Sequence, residues 1–119
     1  MKWYLVKIVY RIICGEGLHT PQFDEQLRIV SASDTLQAFL KGRLLGERGE
    51  ENFFNERQEP VKWKFIDVSE LYLINEITDG TEVYARVQEE VHEEMYLDNV
   101  RRRANRLYEQ CLDQSKIVA

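Results

Sequence analysis

Residues 3–14 form an almost continuous apolar run in which Val, Ile, Tyr and Trp predominate. A run this short and this rich in β-branched and aromatic residues predicts a strand rather than a helix. Its even positions, Tyr4, Val6, Ile8, Tyr10 and Ile12, are all apolar or aromatic, while Lys7 and Arg11 interrupt the odd ones. Apolar residues on both faces place this strand in the interior of a sheet. Residues 22–30 alternate instead, with Phe23, Leu27 and Ile29 on one face and Asp24, Gln26 and Arg28 on the other. That period of two predicts a second strand with one polar face.

Ser33 and Asp34 are N-cap candidates, and Leu36, Phe39, Leu40 and Leu44 follow at helical spacing, predicting a helix from about Asp34 to Leu45. Gly46 and Gly49 then open a polar stretch to Pro60 that reads as a surface loop anchored by Phe53 and Phe54. Val61, Trp63 and Phe65 alternate with Lys62 and Lys64, and Leu71 to Ile74 resume the apolar character, predicting a third strand that is long and bulged. Asp79-Gly80 is a two-residue turn signal. Val83, Ala85 and Val87 alternate after it with Glu82, Tyr84, Arg86 and Gln88, predicting a fourth strand that closes a second hairpin. From residue 91 to 114 there is no Gly or Pro, and Val91, Met95, Val100, Ala104, Leu107 and Cys111 lie close to one helical stripe. The order strand, strand, helix, repeated once, implies an α+β fold: an antiparallel sheet of about four strands with two helices on one face. One domain over residues 1–119 is expected, with 91–114 as its long C-terminal helix.

Composition narrows the functional classes. At 119 residues, 44% of them hydrophobic and 31% charged, the chain can close one core and is not a disordered polymer. Charged residues break every apolar stretch well short of the roughly 20 residues a spanning helix needs, so no membrane role is expected. Lys2, Lys7 and Arg11 interrupt the N-terminal run, which therefore lacks the apolar centre of a secretion signal, and a cytoplasmic protein is expected. Cys14 and Cys111 stand at opposite ends without metal or redox spacing, and both are expected to be reduced. The net charge of -5 weighs against general nucleic-acid binding, although Arg101, Arg102, Arg103 and Arg106 could form a local basic patch. The acids just upstream of those arginines offer them partners within the same helix.

Residues 10–34, YRIICGEGLHTPQFDEQLRIVSASD, resemble the signature of a small bacterial family catalogued as domain of unknown function 4288. A weaker similarity continues through residues 61–87, VKWKFIDVSELYLINEITDGTEVYARV, so that the resemblance covers roughly residues 1–90. It implies a small cytoplasmic α+β protein and carries no activity with it.

The stretch from Cys14 to Gln26 holds the densest chemistry. Gly15-Glu16-Gly17 follows a strand, but no Gly-Lys-Ser/Thr and no helix follow, so the glycines read as turn formers and not as a phosphate cradle. A thiol nucleophile would need Cys14 within reach of His19, whereas a cysteine that ends an apolar strand reads first as core; Phe23 is expected in the core with it. Asp24 and Glu25 are adjacent and point to opposite faces, and His92 is remote, so His19 lacks partners for a metal site. No metal and no cofactor are expected.

Pairing Arg11 with Glu25 would set Val9 beside Leu27 and Ile13 beside Phe23 on a core face. Tyr10, Ile12, Asp24, Gln26 and Arg28 then collect on the opposite face, where the fourth strand could add Tyr84 and Arg86. The candidate ligand or partner surface is Tyr10, His19, Gln22, Asp24, Gln26, Arg28, Tyr84 and Arg86. The leading expectation is a non-enzymatic module that forms a homodimer or binds a protein partner through this face and the long helix. The alternatives are a small polar-ligand or hydrolytic site at the 14–26 hairpin, with no ligand named by the sequence, and nucleic-acid binding through the Arg101–Arg106 helix. A solvated sheet face with routine ion pairs would account for the same residues without any partner.

Overall fold

The computed structural model describes residues 1–118, with side chains described through residue 114. Its elements are β1 (Lys2–Cys14), β2 (Gln22–Ala32), α1 (Thr35–Arg48), β3 (Glu51–Phe54), β4 (Pro60–Ile74) and α2 (Glu93–Val118). The chain divides into two compact units, the first from Met1 to Ala85 and the second beginning at Arg86 and containing α2. All strand pairs are antiparallel, in the order β2-β1-β4-β3, which makes the fold α+β with a four-stranded sheet.

β1 lies inside the sheet, paired with β2 on one edge and β4 on the other, and its even row lines the core. Tyr4, Val6, Ile8 and Tyr10 are at most 2% exposed and form the core with Val30, Ala32, Ala38 and Val68. This inverts the expected sidedness: Tyr10 is buried, while Phe23 on the opposite face is 57% exposed and Cys14 is half-buried. The register also differs from the expected one, with Arg11 opposite Phe23, Val9 opposite Glu25 and Tyr10 opposite Asp24. A shift of two residues leaves every side chain on its own face, so the inversion has another cause. From Tyr4 to Cys14 the even row of β1 carries no charge, whereas the odd row would bring Lys7 and Arg11 under the helix at a large desolvation cost.

α1 starts where the sequence places it. Asp34 is the N-cap, its carboxylate accepting from the Gln37 N–H at 2.8 Å, and the Gln37 side chain reaches back to the Ser33 N–H. The buried side of the helix is its small one, Ala38, Gly42 and Gly46. A Cβ on Gly46 would fall 2.2 Å from Phe65 Cε1, so the absent side chain is what lets the helix approach the large aromatic residues of the sheet. Tyr10 Oη donates to the Gly46 carbonyl at 2.8 Å. Leu36, Leu40 and Leu44, the most conspicuous apolar positions of the helix, face solvent.

Two further elements depart from the sequence reading. Glu51–Phe54, expected in a loop, pairs with β4 as β3. The turn that joins them is built by Asn55, whose Oδ1 accepts from the N–H groups of Arg57 and Glu59, with Gln58 at φ 63°; no glycine marks it. The expected fourth strand near residues 83–87 does not form, and residues 75–92 are irregular. The Asp79-Gly80 turn does form, closed by Thr81 N–H to the Thr78 carbonyl, but it leads to no hairpin. Val83 and Val87 remain 47% and 98% exposed, because alternation yields a strand only where a sheet edge and a covering layer bury one of its faces. β4 is long and bulged, with register shifts against β1 between Lys7 and Ile8 and between Val9 and Tyr10.

Candidate functional site

The β1–β2 hairpin tip is closed by its own residues. Gly15 and Gly17 take φ values of 59° and 79°, the left-handed region where glycine is favoured, and Gly17 N–H donates to the Cys14 carbonyl. His19 Nε2 accepts from the Cys14 backbone N–H at 3.0 Å, and Nδ1 lies 2.8 Å from the Thr20 carbonyl oxygen. A carbonyl can only accept, so Nδ1 carries the proton and Nε2 the lone pair. Both nitrogens are thereby engaged in holding the loop, and neither faces the Cys14 thiol as a base. The cleft here is lined by Cys14, Glu16, Leu18, His19, Gln22 and Glu59 among others. Among the described residues, no group of three or more His, Cys, Asp or Glu is placed to hold a metal ion.

Along β2, Asp24, Gln26 and Arg28 form a polar row on the α1 side of the sheet. Gln26 Nε2 donates to Asp24 Oδ2 at 2.6 Å, and Arg28 donates from Nε and Nη2 to Gln26 Oε1 at 3.1 and 2.6 Å. Tyr10, expected beside them on the surface, is instead beneath α1, where burial pushes its phenol above its ordinary pKa. Gln22 sits at the mouth of the hairpin cleft with His19. The remaining two candidates lie elsewhere. Tyr84 packs edge-on against Tyr72 of β4 with ring centroids 5.7 Å apart, and Arg86, bonded to Gln88, belongs to the second unit.

Sequence reasoning missed the odd-numbered face of β1, opposite α1. Lys7 sits at its centre, with Nζ 2.8 Å from Glu70 Oε2 and 3.7 Å from Glu25 Oε2. The hydrogen bond to Glu70 is the main reason that the Lys7 ammonium is held above its ordinary pKa. Tyr72 donates to Glu70 Oε1 at 3.0 Å, which likewise raises the phenol. Around this charged centre Trp3, Phe23, Leu27 and Ile29 remain 43%, 57%, 49% and 51% exposed. The signal was present in the β2 alternation: Phe23, Leu27 and Ile29 do share a face, but it is the one that α1 does not cover.

In the second unit, α2 carries Arg101, Arg102, Arg103 and Arg106, all exposed, and Arg102 pairs with Asp98 one turn away. Its apolar positions are also exposed, Met95 and Leu107 by 64% and 60%. Among the described residues, no helix is long and apolar enough to cross a membrane.

No curated protein and no solved structure matches the chain. A family profile described as Domain of unknown function (DUF4288) matches residues 3–85, nearly the whole of the first unit and none of α2. The hairpin, α1 and the four-stranded sheet are thus the shared part, and the chain belongs to the DUF4288 family.

Proposed function

We propose that this protein is a non-enzymatic interaction module whose open sheet face receives an apolar protein surface. The observation that carries the reading is the exposure of Trp3, Phe23, Leu27 and Ile29 on a face of regular, paired backbone. Large apolar side chains spread over a rigid sheet gain most when a partner removes them from water, and each fully buried one contributes roughly 1.5–3 kcal/mol. Lys7, Glu25 and Glu70 in their midst supply a charged centre that fixes orientation more than affinity. The hydrolytic alternative at the hairpin is disfavoured because His19 uses both nitrogens to close the loop. The nucleic-acid alternative is weakened by the acid partner of Arg102.

Site-specific photo-crosslinking tests the proposal. A photoreactive residue in place of Trp3 should capture protein on irradiation in cells, whether a second copy or another chain. The same residue in place of Leu18, 89% exposed at the hairpin tip, should capture far less. Equal or no capture at Trp3 overturns the reading.

A further inference from the structure

The two edges of the sheet are not alike. β3 is an edge of four residues, the short kind that natural sheets use to avoid pairing with other chains. β2 is an edge of 11 residues that runs against β1 in continuous register, without a bulge, a proline or a lysine. Lys41 Nζ donates to the Ser31 carbonyl at 2.8 Å and occupies the end of the strand next to α1. The stretch that remains is Gln22 to Val30, and its midpoint is Gln26.

Charge along that stretch is self-complementary about the midpoint. In an antiparallel pair of two β2 strands related by a two-fold axis at Gln26, Asp24 of one copy stands opposite Arg28 of the other, twice over. Gln26 then meets Gln26, and on the open face Phe23 meets Ile29, again twice. Sliding the pairing by two residues one way sets Glu25 against Glu25; sliding it the other way separates Asp24 from Arg28. Opposite charges directly across an antiparallel ladder stabilise it and like charges do the reverse, so the pattern selects one register. The hydrogen bonds that already extend Asp24, Gln26 and Arg28 along the strand hold these side chains in a row on one face.

From this edge we infer that the occupant of β2 is a second copy of the same chain, joined strand to strand with the two-fold axis at Gln26. The inference goes beyond the interaction-module reading, which concerns the open face, and assigns an occupant to the edge. The axis of an antiparallel pair is perpendicular to the sheet, so two four-stranded sheets become one continuous sheet with both α1 helices on one side. Both open faces then lie side by side on the other, which doubles the apolar surface available to a partner.

Light scattering and sedimentation of the full chain test this. The wild-type protein should have twice the 14.2 kDa chain mass. Asp24→Arg and Arg28→Asp should each weaken the dimer by about tenfold or more, since each replaces two attractions with repulsions. Mixed together, the two variants should form a heterodimer, because one then supplies two arginines and the other two aspartates to the same positions; recovery on mixing excludes misfolding as the cause. A monomeric wild type, or single variants that dimerise as tightly as wild type, overturns the proposal. Trp3→Glu should leave the dimer intact. If it alone dissociates the copies, they meet through their open faces, and the edge proposal fails while the interaction-module reading stands.

Discussion

On the helix-covered face of the sheet Tyr4, Val6, Ile8 and Tyr10 are at most 2% exposed, whereas across the same strands Trp3, Leu27 and Ile29 keep 43%, 49% and 51% of their surface. Apolar content alone does not separate the two rows. Charge does: from Tyr4 to Cys14 the covered row of β1 has none, and the open row has Lys7 at its centre, held between Glu25 and Glu70. A helix laid over Lys7 would have to desolvate that whole cluster, while a helix over Tyr4 to Tyr10 removes mostly apolar surface and satisfies the Tyr10 hydroxyl at the Gly46 carbonyl. The face opposite α1 leaves Trp3, Leu27 and Ile29 about half exposed.

If this division is correct, substitutions on the two faces should differ in kind. The largest effect is expected for Tyr10→Ala, which empties the centre of the covered face and should cost about 3–5 kcal/mol in urea unfolding. Gly46→Ala comes next. Its new Cβ would meet Phe65 at 2.2 Å, and the forced shift should cost about 1–3 kcal/mol by the same measurement. Leu27→Ser on the open face should change stability by no more than about 0.5 kcal/mol. A loss there as large as at Gly46 would mean that the open face is part of the core and would erase the comparison.

The smallest effect concerns pH. Because Glu70 raises the Lys7 pKa in the folded state, the stabilisation from this pair is fully present below the ordinary lysine value of 10.5 and is lost as pH rises through the higher folded value. Asp67, lowered mainly by its hydrogen bond from Arg43, behaves in the opposite sense: its contribution is present above the ordinary aspartate value of 3.8 and is lost on acidification. The Arg43–Asp67 pair is exposed enough for salt to screen it, whereas the partly buried Lys7–Glu70 pair is screened less. Lys7→Met should therefore flatten the alkaline limb of a stability–pH profile. An alkaline limb unaltered by the substitution would remove Lys7 from the account.

Most of the fold was legible because its signals are local. The Asp34 cap, the nearly continuous apolar run of β1, the alternation of β2 and the absence of Gly or Pro through α2 each report on neighbours within a few residues. β3 escaped because Asn55 and Gln58 make its turn without the usual glycine. The expected strand near residue 85 failed for the converse reason, since a turn and an alternating pattern were present but no neighbour buried Val83 or Val87. Of the candidate surface, Asp24, Gln26 and Arg28 are brought together as a row; His19 and Gln22 share the hairpin cleft, Tyr10 is buried, Tyr84 packs against Tyr72, and Arg86 belongs to the second unit.

The sequence by itself determined the α+β class, the interior position of β1 and the self-complementary spacing of Asp24, Gln26 and Arg28, all of which follow from periods of two or 3.6 residues along a single chain. Only the tertiary structure decided which face of the sheet α1 covers, that the helix turns its glycines inward and its leucines outward, and that both ring nitrogens of His19 engage the backbone of the hairpin loop. These depend on partners such as Phe65, Glu70 and the Cys14 backbone, which steric fit and desolvation select in space and which no local pattern encodes.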